Sequence, residues 1–317
     1  MTLRTPPLKP ATDNTAQPSR DAIETRDGLV IVNYGKSQLV EDRDGNLHRC
    51  VARRALDAVV CGDRVIWEGA GGQTGVITAI LPRQTVLGRG DGARRVRPLA
   101  ANIGQLIVVA ATKPGPDRFL LDKYLLAAEL IPVTPVLVFN KADLLTPGER
   151  KRLESLAGEY AAIGYPTLFT SALRNTGIER FTQTLAGRTG ILVGQSGVGK
   201  SSLVRRLLPE REITIGKLSQ ASGQGRHTTT ATTLYHLPHG GHLIDSPGVR
   251  DFRPGRTTAE ELARGFPEFR PWLGQCRFSD CRHVEEPRCA IIAAENQGKI
   301  NTRRLESYRQ LLATMTS

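Results

Sequence analysis

The chain lacks any apolar run approaching the roughly 20 residues that span a bilayer, and this excludes a membrane-spanning protein. Its opening stretch, MTLRTPPLKPATDNTAQPSRD, has neither the apolar segment nor the cleavage site of a secretory signal, so a cytoplasmic location is expected. Rich instead in Pro, Thr and Ala, residues 1–24 offer too little apolar surface to offset the entropy of ordering and read as a disordered leader. Cysteine is scarce, five in 317 residues, with three clustered toward the carboxyl end. That argues against a disulfide framework and for a metal site in a reducing compartment. Acidic residues are outnumbered, 31 against 43 Lys and Arg, for a formal charge of +12. The excess suggests a polyanionic partner, although it also serves solubility. Within 83–97, Arg83, Arg89, Arg94, Arg95 and Arg97 accompany a single acid, Asp91; this is either a solvated linker or a phosphate-facing stripe. No internal repeat is present.

A chain of 317 residues forms two or three domains. From Gly28 to about Arg89, short β-type runs (LVIVNYG, HRCVARR, AVVCGDRVIW, TGVITAI, QTVLGR) are separated by turn residues such as Asp44-Gly45. They predict a small closed barrel over 25–97, with an OB-fold favoured and an SH3-like barrel as the alternative. Over 98–254, QLIVVAA (105–111), TPVLVFN (134–140), PTLFT (166–170) and GILVG (190–194) read as buried parallel strands. Helical stretches intervene: DRFLLDKYLLAAELI (117–131) has helical spacing, and Thr146-Pro147-Gly148-Glu149 opens another helix with a capping box. The alternation specifies a doubly wound α/β sheet. The remainder, 255–317, reads as a small, mainly helical module closed by RRLESYRQLLATM (303–315).

Gly194-Gln195-Ser196-Gly197-Val198-Gly199-Lys200-Ser201-Ser202 follows an apolar strand and precedes a helix former, the context of a P-loop. Its glycines let backbone amides face phosphates, Lys200 reaches the β- and γ-phosphates, and the Ser201 hydroxyl ligates Mg2+. Asn140-Lys141-Ala142-Asp143 ends a buried strand with the N-K-x-D form. The Asp143 carboxylate can accept from the guanine N1 and N2 donors, a pair adenine does not offer. Ser171-Ala172-Leu173 is placed to offer a backbone amide to guanine O6. Asp245-Ser246-Pro247-Gly248 fits D-x-x-G, whose Asp holds Mg2+ through water and whose Gly amide senses the γ-phosphate. Between them lies Gly225-Arg226-His227-Thr228-Thr229-Thr230. Thr229 is the favoured switch ligand for Mg2+, with Thr228 and Thr230 still open. Val249 stands where many GTPases carry a water-orienting Gln. His227 is the nearest candidate for that task, or else a residue that contacts a partner or solvent. The base-reading motifs precede the P-loop, which a circular permutation explains.

Cys276, Cys281, His283 and Cys289 have the spacing C-x4-C-x-H-x5-C, and three thiolates with one imidazole make a closed, structural Zn2+ site. Cys50 and Cys61 read as buried free thiols. With these residues in place, together with GDRV (62–65) and ILPRQTVLGR (80–89), the chain resembles the RsgA (YjeQ) family of circularly permuted GTPases. Two departures are DSPG for the commoner DTPG, and Asn102-Ile103-Gly104 without an acidic residue. The resemblance implies a GTP hydrolase that binds the small ribosomal subunit and its rRNA, assists its late maturation, and is stimulated by it; a monomer is expected. A stand-alone metabolic NTPase and a non-catalytic RNA-binding protein holding GTP as a structural ligand are the alternatives; turnover with and without subunits separates them.

Overall fold

The computed structural model describes residues 25–69, 74–90, 96–112, 115–208, 231–246 and 257–315. Its first strands are β1 (Thr25–Asn33), β2 (Gln38–Glu41), β3 (Leu47–Ala52), β4 (Arg64–Gly69) and β5 (Thr74–Ile80). Antiparallel pairing joins β1 to β2, β2 to β3 and β4 to β5. A parallel β3–β5 pair and an antiparallel β1–β4 pair close the cylinder. That order, with its parallel pair, is an OB-fold and disposes of the SH3-like alternative. Inward residues alternate along the strands and meet as Val30, Val40, Cys50, Val65, Trp67 and Ile77. Gly75 is required here because a Cβ would lie 2.6 Å from the Trp67 ring. Burial pushes the Cys50 thiol up to about 12, in keeping with an inert core residue.

The barrel does not use all five runs picked out by periodicity. Gln38–Glu41, a four-residue strand between a turn and a hairpin, completes it. QTVLGR instead supplies β6 (Val86–Gly90), which pairs with β7 (Val96–Ala101) outside the barrel. Arg83 also departs from expectation. Its Nε and Nη2 grip the two oxygens of the fully buried Asp63 at 2.7 Å each, and Nη2 donates to the Ala58 carbonyl as well. Asp63 needs this partner because an unpaired buried carboxylate is costly, so Arg83 is structural and leaves the phosphate-facing stripe. Asn102 sits at φ 55°, bonding the Gly62 carbonyl and the Gln84 amide with its side chain. A short amide suits that left-handed position.

The central sheet contains β8 (Gln105–Ala111), β9 (Thr134–Asn140), β10 (Thr167–Phe169), β11 (Thr189–Val193), β12 (Thr232–His236) and β13 (His242–Asp245), in the order β10-β9-β8-β11-β13-β12. All neighbours are parallel except the β12–β13 hairpin. The continuous burial of β8 and β9 reflects helices packed on both faces. These are α1 (Arg118–Leu130), α2 (Pro147–Ile163), α3 (Ile178–Leu185) and α4 (Lys200–Leu207). Asp117 caps α1, and Thr146 with Glu149 forms the expected capping box on α2. At the sheet edge β12 pairs with β1, so barrel and central sheet share one hydrogen-bonded surface.

The carboxyl-terminal module packs α5 (Ala259–Arg264), a 3₁₀ turn (Pro267–Trp272), α6 (Ala290–Asn296) and α7 (Thr302–Met315) around Phe266, Phe269, Tyr308 and Leu312. Leu126 of α1 enters that same core. A buried ionic knot reinforces the joint. Asp122 of α1, with no exposure, accepts from Tyr160 of α2 and from Arg303 and Arg304 of α7, each at 2.7 Å. Arg304 further pairs with Glu268 at 2.6 Å and lies over the Phe266 ring at 4.5 Å. Removing Asp122 would take from Arg303 and the buried Arg304 the carboxylate they share, and breaking such a buried pair costs about 3–5 kcal/mol.

Candidate nucleotide site and metal centre

At the carboxyl ends of β8, β9 and β11 the sheet presents the crevice where open α/β folds bind ligands. β11 runs into Gly194–Gly199, and α4 begins at Lys200. Gly194, Gly197 and Gly199 have φ of 140°, 80° and 96°, backbone that side-chain-bearing residues avoid. A Cβ on Gly194 would lie 2.2 Å from the Val109 carbonyl, and one on Gly199 would lie 2.3 Å from Asn140 Nδ2. Val198 anchors the loop in the apolar core. Lys200 Nζ donates to the carbonyls of Gly194 and Gln195, 2.6 Å each, arching across the turn. With no acid in the first turn of α4, its amides keep their partial positive charge for an anion.

Asn140 joins this loop to the base-reading segments. Its Nδ2 donates to the Val198 carbonyl at 3.0 Å, while Oδ1 accepts from Thr170 Oγ1 at 3.2 Å and the Ala172 amide at 3.3 Å. The side chain is buried, so each bond is shielded from water. Lys141 follows in the left-handed region at φ 62°, turning the chain so that Ala142 and Asp143 enter a short 3₁₀ turn with Asp143 exposed. The Ala142 amide donates to the Thr170 carbonyl at 3.0 Å. Ser171 pairs with Thr176, and its hydroxyl accepts from the Arg174 amide. Gly177 must approach Phe169 so closely that a Cβ would sit 2.1 Å from that carbonyl.

Asp245 ends β13, next to β11, and the adjacent Ser246 hydroxyl lies 3.0 Å from Thr232 Oγ1 at the start of β12. Thus Asn140, Lys141, Ala142, Asp143, Ser171, Ala172, Gly194 to Ser202 and Asp245 gather at one end of the sheet. His227, Thr228, Thr229, Thr230, Gly248 and Val249 lie outside the described residues, as do Arg94 and Arg95. Sequence reasoning passed over Thr170, whose hydroxyl completes the Asn140 hub; its place just before Ser171 at a strand end was an available signal. Arg206, which donates to the Ala172 carbonyl, carried none, being one of two adjacent arginines on α4.

The cysteine-rich segment converges as its spacing requires. The ligand atoms of Cys276, Cys281, His283 and Cys289 lie within 4.8 Å of one another. Cys276 and Cys289 sulfurs are 3.8 Å apart, and His283 Nδ1 is 3.6, 3.5 and 3.3 Å from the sulfurs of Cys276, Cys281 and Cys289. A tetrahedron built on ligand distances of about 2.3 Å for sulfur and 2.0 Å for nitrogen has edges of roughly 3.5–3.8 Å, so the four could hold one metal ion. The Ala290 amide donates to Cys276 sulfur at 3.4 Å. His283 and Arg288 take positive φ of 61° and 60°, strain that a ligand knuckle tolerates. Burial pushes the Cys281 thiol up to about 12 and holds His283 below its usual value. The imidazole is therefore in its ligating form, and a cation would supply the charge that turns these sulfurs into thiolates. Among the described residues no helix is long and apolar enough to cross a membrane.

Comparison with known proteins agrees with this geometry. The RsgA GTPase family matches residues 80–254. A Chromohalobacter salexigens protein named small ribosomal subunit biogenesis GTPase RsgA is 46% identical over 309 residues, 96% of this chain and 91% of that protein. A Pseudomonas fluorescens protein of the same name is 46% identical over 292 residues, 91% of this chain and 85% of its own length. The crystal structure of YjeQ from Thermotoga maritima aligns with TM-score 0.74 at 31% identity, covering 92% of this chain and 99% of that one. YloQ, described as a circularly permuted GTPase, shares the fold with TM-score 0.72 at 24% identity, over 95% and 98% of the two chains. With its base-reading strand ahead of its phosphate loop and a Cys3His knuckle behind both, the chain belongs to the RsgA family of GTPases.

Proposed function

We propose that this GTPase binds the small ribosomal subunit and its rRNA in the cytoplasm, assists late maturation of that subunit, and hydrolyses GTP faster when bound to it. The observation that carries the nucleotide reading is the Asn140 hub, which bonds the P-loop at Val198 and the base loop at Ala172 with one side chain. Asp143 accepts the guanine N1–H and N2–H, the 171–173 backbone faces O6, and the amides of 194–202 with Lys200 hold the phosphates. Ser201, Asp245 and a switch threonine, Thr229 first among the three, would hold Mg2+, which neutralises charge on the transferring phosphoryl group. Water attacks the γ-phosphorus, the bond to the β-phosphate oxygen breaks, and GDP and phosphate leave. No Gln follows Gly248, so water positioning falls to His227 or to the subunit.

Zn2+ fits the Cys3His knuckle as a structural ion, because all four positions are protein ligands and none remains for substrate. The partner assignment rests on the names borne by relatives that align along nearly the whole chain and on the basic balance of the sequence. Steady-state GTP hydrolysis is to be compared with small subunits, large subunits and neither. The reading expects acceleration by small subunits alone; equal rates in the three mixtures would refute it.

A further inference from the structure

The loop 171–173 is held from two sides, and one of those holds lies outside the motifs. On its inner side the Ala172 amide donates to Asn140 Oδ1. On its outer side Arg206, in the last turn of α4, donates from Nε to the Ala172 carbonyl at 2.7 Å and from Nη2 to the Leu173 carbonyl at 3.4 Å. Both carbonyls belong to a tight turn in which Ala172 is buried against the apolar core while Leu173 is 71% exposed. The remaining bonds on this turn, Ser171 amide to Thr176 carbonyl and Arg174 amide to Ser171 hydroxyl, are internal to it. They shape the turn, while its placement comes from the Thr170 backbone bonds to Phe139 and Ala142, the buried Ala172 methyl, Asn140 and Arg206.

We infer that Arg206 is a positioning residue for guanine recognition: by clamping the Ala172 and Leu173 carbonyls to the phosphate-loop helix, it holds the 171–173 backbone where it reads the purine 6-position. α4 starts at the phosphate-binding lysine, so a guanidinium near its end sets the distance between the base loop and the phosphate loop. A planar fork with several donors suits two adjacent carbonyls; a single ammonium satisfies one. Asn140 already ties the loops at their buried face. Arg206 supplies the outer polar attachment, without which the exposed half of the turn is held only through Asn140 and the buried Ala172 methyl. The inference rests on the guanine-site reading above and refines it to a single contact, at position 6, leaving the Asp143 contacts independent.

The test measures dissociation constants by competition for GDP, 6-thioguanosine diphosphate and inosine diphosphate. The thio analogue keeps N1–H and the 2-amino group and weakens only the 6-acceptor; the inosine analogue keeps the 6-oxygen and lacks the 2-amino group. The parental protein is expected to bind each analogue about tenfold more weakly than GDP, the usual scale for one lost hydrogen bond in a built site. In Arg206→Ala, GDP affinity falls about tenfold and the 6-thio discrimination collapses to within about twofold, while the inosine discrimination stays at its parental value. Arg206→Lys recovers part of the 6-thio discrimination, and a thermal midpoint close to parental in Arg206→Gln shows that the fold is intact. Parallel weakening of all three nucleotides, or an unchanged 6-thio ratio, would overturn the positioning role while leaving the guanine site standing. A parental protein that does not discriminate the thio analogue would overturn the reading of 171–173 itself, and the inference with it.

Discussion

At the scale of single residues, the site works by excluding alternatives. Asp143 is exposed and its loop is fixed from behind by the Ala142 amide and the left-handed Lys141, so its carboxylate is free to face a base. Asp143→Asn replaces two acceptors by one acceptor and one donor, a pattern that matches xanthine. Guanosine diphosphate affinity is expected to fall at least about a hundredfold and xanthosine diphosphate to bind better than it does to the parent; competition binding checks both, and unchanged guanosine affinity would remove the base assignment. Asn140→Ala acts differently, because it leaves the Val198 carbonyl, the Thr170 hydroxyl and the Ala172 amide unpaired in a dry site. That variant should lose about 2–4 kcal/mol of stability in a denaturant titration as well as nucleotide binding. Motif residues were legible because their chemistry demands particular types at particular spacings. Arg83 was not, since only the fold shows that the buried Asp63, twenty positions away, claims it.

At the scale of elements, most of the central sheet could be read directly, because β8, β9 and β11 are buried along their lengths and show it as unbroken apolar runs. The capping box at Thr146 declared the start of α2. What composition could not declare was register between distant segments. Val32 pairs with Thr233 and Asn33 with Thr232, a joint between strands about two hundred positions apart in which neither partner carries a special residue. Beside it, His236 of β12 meets Glu41 of β2 at 2.8 Å, with His242 stacked edge-on to His236 at 4.8 Å. The Glu41 hydrogen bond raises His236 above its ordinary value of 6.5, whereas burial and the neighbouring His236 lower His242, with Arg64 acting the same way. A raised folded-state value means that the His236 contribution is complete below about pH 6.5 and fades as pH rises through the folded value. For His242 the sign is opposite: its contribution is present above its ordinary value and fades as pH falls through the lowered one. Glu41→Gln should therefore depress the thermal midpoint more at pH 6 than at pH 8.5. Since His236 is half exposed, the difference should be only about 1–2 °C. Equal depression at both values, measured by circular dichroism, would show that the pair is not an ion pair in solution.

At the scale of the molecule, the carboxyl-terminal module has two attachments to the GTPase body. One is covalent, through the chain that leaves the D-x-x-G segment at Gly248 and re-enters described structure at Thr257. The other is the dock against α1 and α2, made by Leu126, the Asp122 knot with α7 and the pair of Arg270 with Glu129. A module held only by the first would be tied to the body by chain alone; the second fixes it against the helices of the central domain. A metal held by the Cys3His knuckle would stiffen the module from within, so chelation should release α5 and the knuckle while nucleotide affinity stays within about twofold, because the two sites share no residue. Loss of GDP binding on chelation, followed by fluorescent nucleotide titration, would contradict that division. The dock itself is tested by Arg304→Met, which keeps length and apolar contact with Phe266 but leaves Glu268 without its cation and Asp122 with Tyr160 and Arg303 alone. The expected cost, about 3–5 kcal/mol, falls on the joint through Asp122 and inside the module through Glu268, and with the joint weakened calorimetry should resolve one melting transition into two. Subunit-independent GTP hydrolysis should change less than about threefold, since Arg304 and its partners share no hydrogen bond with the Asn140 hub or the P-loop. Stimulation by small subunits should fall at least about tenfold, because the module can then bind without loading the switch. Retained stimulation in a variant that melts in two steps would show that the covalent connection alone carries the signal.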